Sequence, residues 1–302
     1  MGGVLGQARE AVNRNAWALL TIGTALWGGN VAAGRLAVDQ VSPMSMVTLR
    51  WALASALLWL FARAEARAAW PRLAPRWRRI VWMGALGFTG FNALFYVGAR
   101  YTSGVNIAII QGVTPIFVMA GAAAIFGQRF RALHWIGLAL TILGACVIAA
   151  RGDPAELAAL QINYGDVLMF VACILFAGYS LGLRDRPDVA PIAFFAAMAM
   201  VACLTSLPLL AIEIAMGHFF RPSLLGVALV VYVGVGPSFL AQIFYIRGVT
   251  LIGPARAGVY YNLVPIWGAL FSVALLGEPF RAFHAVALAL VLGGIWLAER
   301  AR

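Results

Sequence analysis

Gly98 to Cys146 reads GARYTSGVNIAIIQGVTPIFVMAGAAAIFGQRFRALHWIGLALTILGAC, and 150 residues later Gly248 to Trp296 reads GVTLIGPARAGVYYNLVPIWGALFSVALLGEPFRAFHAVALALVLGGIW. Superimposed without a gap, 13 of these 49 positions are identical. They include Gly98/Gly248, Pro115/Pro265, Ile116/Ile266, Gly127/Gly277, the runs Phe130-Arg131-Ala132 and Phe280-Arg281-Ala282, His134/His284 and Gly144/Gly294. The chain is therefore an internal repeat. Each copy carries five apolar segments, and five is odd. A second copy that starts after an odd number of membrane crossings enters from the opposite face, which relates the halves by a two-fold axis in the membrane plane. Secondary transporters built this way hold their site at the repeat interface near the bilayer midplane.

The ten apolar segments fall at 15–38, 44–62, 80–99, 104–126, 133–150, 164–183, 190–213, 223–246, 254–276 and 282–298. Each approaches the roughly 20 residues that cross about 30 Å of hydrocarbon. A backbone there must satisfy its own hydrogen bonds, so the segments are read as helices. The expectation is an all-α integral membrane protein of two five-helix repeats, 1–150 and 151–302, joined through the loop 151–163. With 63% hydrophobic residues, 11% charged residues and a mean hydropathy of +0.90, little chain is left for a soluble domain. The first segment is too long and wrongly flanked for a cleaved signal peptide.

The net charge of +11 is a matter of sides. With the N-terminus inside, 16 arginines lie on cytoplasmic ends or loops, from Arg9 and Arg14 through the Arg63–Arg79 run to Arg300 and Arg302. Five (Arg35, Arg100, Arg151, Arg221 and Arg281) fall outside, and Arg50 lies within the second segment. That asymmetry puts both termini in the cytoplasm and argues against nucleic acid as the partner of the basic charge. The run Arg72 to Arg79 reads as an anchor on anionic headgroups. The chain has no lysine, and Cys146, Cys173 and Cys203 sit in apolar segments, without disulfide or metal spacing. No Walker-type phosphate loop, metal set or cofactor motif occurs, so ATP coupling within the chain and metal or cofactor chemistry are not expected.

Ten segments in two repeats, Trp27-Gly28-Gly29-Asn30 in the first helix, Arg50 early in the second and Leu276-Gly277-Glu278-Pro279 after the ninth together resemble the EamA-type drug/metabolite transporter superfamily over residues 15–298. Gly127-Gln128-Arg129 departs from the Gly-Glu-Pro form in the first copy. Within the superfamily the overall pattern is most like the YddG-like exporters of aromatic amino acids. The resemblance implies a carrier, and members move amino acids, nucleotide sugars, quaternary amines and phosphorylated sugars, so it names no substrate.

Polar groups inside a bilayer face a cavity or the bundle interior. Asn92 and Tyr96 share a helix face, and Gln242, with Tyr245 beside it, is the repeat mate of Asn92. Either pair could line a cavity or act as interhelical glue. Pro115 and Pro265 lie at matched positions within the fourth and ninth segments. Each removes the hydrogen bond to the carbonyl four residues back, that of Gln111 or Tyr261, with Tyr260 and Asn262 adjacent in the second copy. Interrupted helices at corresponding places in two repeats point to a transport site; the alternative is a kink satisfied by neighbouring groups. Trp27, Asn30 and Tyr101 complete the expected substrate-binding set, with Gly28, Gly29, Gly112, Pro115, Gly258 and Pro265 as hinges. Trp70, Trp77, Trp82 and Trp296 read as interfacial belt. Arg50 could bind a carboxylate or lock the second helix. His134 and His284 read as helix-start residues, and Glu278 as a structural, water-facing residue.

The sequence reading is an inner-membrane exporter of small metabolites, aromatic or hydrophobic amino acids foremost, with no deeply buried acid to couple proton flow. Drugs, quaternary amines or nucleobases are the alternative cargo, and a channel is the alternative mode. No nucleophile–base or metal constellation supports an enzyme. The expected partners are a zwitterionic or neutral small molecule and the lipid bilayer.

Overall fold

The computed structural model describes residues 15–102, 107, 110–158, 163–276 and 280–300, and every element among them is helical. Gly277-Glu278-Pro279, residues 104–106 at the head of the fourth segment, Arg9, Arg14 and Arg302 lie outside the described residues.

The first half comprises α1 (Ala16–Leu36), α2 (Pro43–Leu73), a 3₁₀ turn at Ala74–Arg76, α3 (Trp77–Trp82), a π-helical stretch Met83–Gly90, α4 (Phe91–Gly98), α5 (Thr114–Phe126) and α6 (Ala132–Ala149). A short α7 (Pro154–Ala158) leads to the second half. There follow α8 (Tyr164–Gly182), α9 (Pro191–Ala215), α10 (Leu224–Val233), a second π-helical stretch Gly234–Leu240 and α11 (Ala241–Ile252). Next come α12 (Pro254–Val259), a 3₁₀ turn Tyr260–Asn262, α13 (Leu263–Leu276) and α14 (Ala282–Arg300). Helix occupies most of the described part of each of the ten apolar segments. Among the described residues, four stretches are long and apolar enough to cross a membrane by length and composition: Pro43–Gly98, Tyr164–Gly182, Pro191–Ala215 and Leu224–Ile252. Shorter apolar helices occupy Ile110–Phe126, Ala132–Val147 and Ala282–Ala298.

Pro43–Gly98 is not one rod. Arg50 and Asn92 are 42 residues apart, about 63 Å along a straight helix, yet Arg50 Nη1 donates to Asn92 Oδ1 at 2.6 Å and the Trp51 ring stacks on Phe88 at 4.5 Å. The chain therefore doubles back at the 3₁₀ turn Ala74–Arg76, where Pro75 and the basic run lie. The second helix extends to Leu73, about a dozen residues beyond the expected end at 62.

The halves pack with the symmetry of the repeat. A Cβ built on Gly137 would stand 2.5 Å from the carbonyl oxygen of Gly294, and one on Gly294 2.5 Å from that of Gly137. The mates of that pair, Gly144 and Ala287, also meet: a Cβ on Gly144 would stand 2.9 Å from the Ala287 carbonyl oxygen. Residue numbers rise along α6 as they fall along α14, so the helices are antiparallel and cross at a pseudo-two-fold axis. Glycines permit this approach, because between lipid-embedded helices contact area and close packing replace the hydrophobic effect. The same exchange relates other pairs: α1 packs on α11 as α8 does on α4, and α1 on α13 as α8 does on α5. α2 and α9 lie along each other, joined by Thr48 to the Ser206 carbonyl and by Ser42 to Glu213.

Side chains cap two of the helix starts in the second half. Asn163 and Asp166 form a capping box at α8, and Thr102 donates to Asp166. Ser223 accepts from the Gly226 N–H at α10. His134 and His284 each turn Nδ1 back to accept the backbone N–H three residues earlier, from Arg131 at 3.2 Å and Arg281 at 3.0 Å. Both are helix-start residues, as their matched positions indicated. Asp166 and Glu213 are buried at helix ends, where backbone and hydroxyl donors hold their carboxylates.

Candidate functional site

The two π-helical stretches are repeat mates, Met83–Gly90 and Gly234–Leu240 at an offset of 150. π-Bulges widen a helix and often accompany functional sites. Each immediately precedes an amide on the next turn, Asn92 or Gln242, and aims it at the centre of the bundle. The fourth and ninth helices break at matched places too. α5 starts at Thr114 with Pro115 in its first turn, and the preceding helical turn ends at Val113. On the other side α12 gives way to the 3₁₀ turn Tyr260–Asn262 before α13, which carries Pro265. The prolines thus sit just inside new helical segments, where a missing N–H is harmless. The Tyr261 carbonyl is not left open as expected, because the Leu263 N–H turns back to it as well as, in the tighter spacing of a 3₁₀ turn, to that of Tyr260.

A cavity of about 30 Å³ lies between the halves, lined by Trp27, Asn30, Arg50, Phe91, Asn92, Phe95, Gln111, Phe176, Gln242, Tyr261, Gly87 and Val264. That volume holds a water or two. Its polar residues are all buried: Asn30, Arg50, Asn92, Gln111 and Gln242 expose 8% or less. In this conformation the cavity is contracted around buried side chains.

Aromatic rings form one wall. Phe176 lies 4.8 Å from Tyr261, 5.5 Å from Tyr245 and 5.7 Å from Trp27, centroid to centroid. Trp27 Nε1 donates to the Pro237 carbonyl in the π-helical stretch, which fixes the indole. Arg50 borders the same cavity. Its Nε donates to Ser238 Oγ at 2.7 Å, and its Nη1 to Asn92 Oδ1 at 2.6 Å and Tyr96 Oη at 2.9 Å. Tyr96 passes its own proton to Asn30 Oδ1 at 3.1 Å, and Asn92 Nδ2 donates to the Phe88 carbonyl at 2.6 Å. On the second-half side, Tyr179 donates to Gln242 Oε1 at 3.1 Å, and Tyr245 shares a 2.8 Å bond with Ser180.

Of the expected binding residues, Trp27, Asn30, Asn92, Gln111, Gln242 and Tyr261 therefore meet at one cavity. Tyr96 and Tyr245 stand behind it as hydrogen-bond supports. Tyr260 packs edge-on against Trp17 at 5.2 Å, and Asn262 donates to Thr141 of α6, so both stiffen the break in the ninth helix outside the cavity lining. Tyr101 is misplaced as a lining residue: it is 59% exposed at the turn after α4, against the ring of Tyr164. Gly28 and Gly29 lie in the unbroken middle of α1, where a Cβ on Gly28 would stand 2.6 Å from Trp267 and one on Gly29 would overlap the Tyr232 hydroxyl. In this conformation they serve close packing. Gly112 and Gly258 flank the helix breaks. Phe91, Phe95 and Phe176 were missed, because a phenylalanine in an apolar run carries no mark of the side it faces.

The EamA-like transporter family model matches residues 15–150 and again 163–299. The chain belongs to that family. As an EamA-like transporter it is a membrane protein that carries small molecules, and it shares 25% identity over 281 residues with the "Uncharacterized transporter YyaM" of Bacillus subtilis, covering 90% of this chain and 89% of that protein. It is 23% identical to the "Uncharacterized transporter YetK" of the same organism, covering 93% and 86%. The "Uncharacterized inner membrane transporter YedA" of Escherichia coli K12 is 25% identical, covering 90% and 86%. One solved crystal structure superimposes on this EamA chain with a TM-score of 0.78 at 18% identity, over 95% of this chain and 97% of that one, a likeness of fold.

Proposed function

We propose that this EamA-like protein is a secondary exporter of small metabolites, aromatic and hydrophobic amino acids foremost, working by alternating access. In this reading ten helices cross the inner membrane as two inverted repeats, 1–150 and 151–302, with both termini in the cytoplasm. One observation carries it: a buried cavity at the junction of the halves that brings aromatic rings (Trp27, Phe176, Tyr261) together with polar side chains (Asn30, Arg50, Asn92, Gln111, Gln242). Such a pairing suits a molecule with an apolar ring at one end and a polar group at the other.

The closed cavity is too small for an amino acid, so cargo enters only when one half moves against the other. The breaks at Pro115 and Pro265, with Gly112 and Gly258 beside them, are matched weak points about which half-helices swing. Each motion would break aromatic contacts on one face and keep them on the other. Supporting this reading, the YddG-like pattern of the sequence agrees with the aromatic wall. A cationic drug or quaternary amine fits less well, because it would share the cavity with the Arg50 guanidinium.

The test is uptake of radiolabelled tryptophan, phenylalanine and threonine into proteoliposomes. Saturable flux for the aromatic pair, exceeding that of threonine, is expected. Absence of saturable flux for all three retires the amino-acid assignment, and non-saturable flux indicates a channel.

A further inference from the structure

Arg50 is 3% exposed and borders the cavity, and every group that holds it is neutral: a serine hydroxyl, an asparagine oxygen and a tyrosine hydroxyl. The rings of Trp51 and Tyr96 flank it, each with its centroid 5.7 Å from the guanidinium carbon. Among the described residues no carboxylate pairs with it; the ion pairs there join Arg79 to Asp185 and Arg100 to Asp39 at the periphery. Its Nε and both Nη1 protons are used, while Nη2 makes no hydrogen bond among the described residues. The neutral clamp orients the guanidinium without cancelling its charge. A buried ion without a counter-ion is costly, and a charge inside a membrane protein calls for a functional explanation.

The charge is also one-sided. The proline turns that open α2 and α9, Pro43 and Pro191, set Met198 as the counterpart of Arg50, and at the offset of 150 Ser180 and Ile246 are those of Asn30 and Tyr96. The repeat that built two matched amides and two matched helix breaks thus left the cavity with one cation among its described lining residues, contributed by the first half. The other described residues that line the cavity supply rings and amides, with no acid among them to hold an ammonium.

We infer that Arg50 is the anchor for a substrate carboxylate, and that the substrate class is monocarboxylates bearing an aromatic or apolar group, for which an amino group is optional. The inference rests on the proposed transport through this cavity and narrows its cargo. Arg Nη2 supplies two N–H donors in the plane that a carboxylate oxygen needs, and in a dry site the attraction between the two charges is far stronger than in water. Binding of the anion neutralises the site, so the loaded cavity can move through the bilayer without an unpaired charge. Amines, quaternary amines and neutral nucleobases bring no such compensation.

The experiment uses the purified full-length protein and a matched series: phenylalanine, 3-phenylpropionate, phenylalaninamide and phenethylamine. Affinities are read by calorimetry, and competition against labelled phenylalanine by proteoliposome flux. The two acids should bind roughly ten- to a hundredfold more tightly than the amide and the amine, the worth of a charge-assisted hydrogen bond. Arg50→Lys should weaken binding yet keep the acids ahead, and Arg50→Gln should erase the preference. The wild-type ranking needs no variant to fold. Equal binding of acid and amide, or an acid preference that survives in Arg50→Gln, overturns the assignment of Arg50 alone, even where phenylalanine flux saturates. Arg50-dependent acid binding without flux sinks the transport reading and keeps the anchor. No binding by any of the four overturns both.

Discussion

Replacing Gly294 by alanine should loosen the joint between the halves, and replacing its neighbour Gly293 should not. A Cβ on Gly294 stands 2.5 Å from the Gly137 carbonyl oxygen, 2.7 Å from Thr141 Cγ2 and 3.0 Å from the Thr141 nitrogen, while a Cβ on Gly293 meets nothing within 4 Å. Ordinary carbon–oxygen contacts lie at about 3.3–3.6 Å, so α6 and α14 must part by roughly 0.8–1 Å. A gap of that size forfeits about a quarter to a half of each dispersion contact along the seam. Both substitutions gain the same helix propensity, about 1 kcal/mol, so their difference isolates the overpacking, about 1–3 kcal/mol. Unfolding of the two full-length variants in one detergent, followed by tryptophan fluorescence, should place Gly294→Ala below Gly293→Ala by that amount. Gly137→Ala presses on the same contact from the other side, so the double variant Gly137→Ala/Gly294→Ala should cost less than the sum of the singles. Equal stability of the two single variants at 293 and 294, or full additivity of 137 with 294, would refute the reciprocal contact and with it the antiparallel crossing.

Glu213 reaches from the end of α9 to the start of α2, accepting from Ser42 Oγ at 2.6 Å and the Met44 N–H at 3.0 Å. Glu213→Gln should cost about 1–2 kcal/mol through weaker hydrogen bonds and a lost charge at a helix N-terminus, and an unchanged melting temperature would show that this cap contributes nothing. Gln111→Ala and Tyr261→Phe change groups that border the cavity on the first turns around the helix breaks. Each should shift the apparent affinity for the transported substrate more than it shifts expression; uptake kinetics identical to wild type, with equal protein in the membrane, would count against the cavity.

Much of the architecture was legible because membranes make simple demands. A lipid-embedded segment must be long, apolar and helical, so length and composition place the helices, and a register of 150 residues between Pro115 and Pro265 or His134 and His284 betrays the duplication. Side-chain chemistry also marked Asn92, Gln242 and Trp27, since polar and aromatic groups in a span need a reason to be there. The details resisted for equally physical reasons. α2 runs on to Leu73 because its last turns lie beyond the apolar stretch, where hydropathy carries no signal of helix. Tyr101 looked like Tyr96 in sequence, yet five residues carry it past the end of α4 to an exposed turn. Nothing in a one-dimensional pattern announces a π-bulge, which depends on how the neighbouring helices press.

The chain's letters by themselves determine that this protein has two related halves of apolar helices, with breaks at matched prolines, because duplication and hydropathy are written position by position. Only the tertiary structure decided which polar groups share one enclosed space. Direction around an α-helix turns by about 100° per residue, and small departures at the π-helical stretches and the 3₁₀ turn rotate whole faces. That is why Arg50, Asn92 and Phe176, from three different helices, come to border the same cavity while Tyr101 does not.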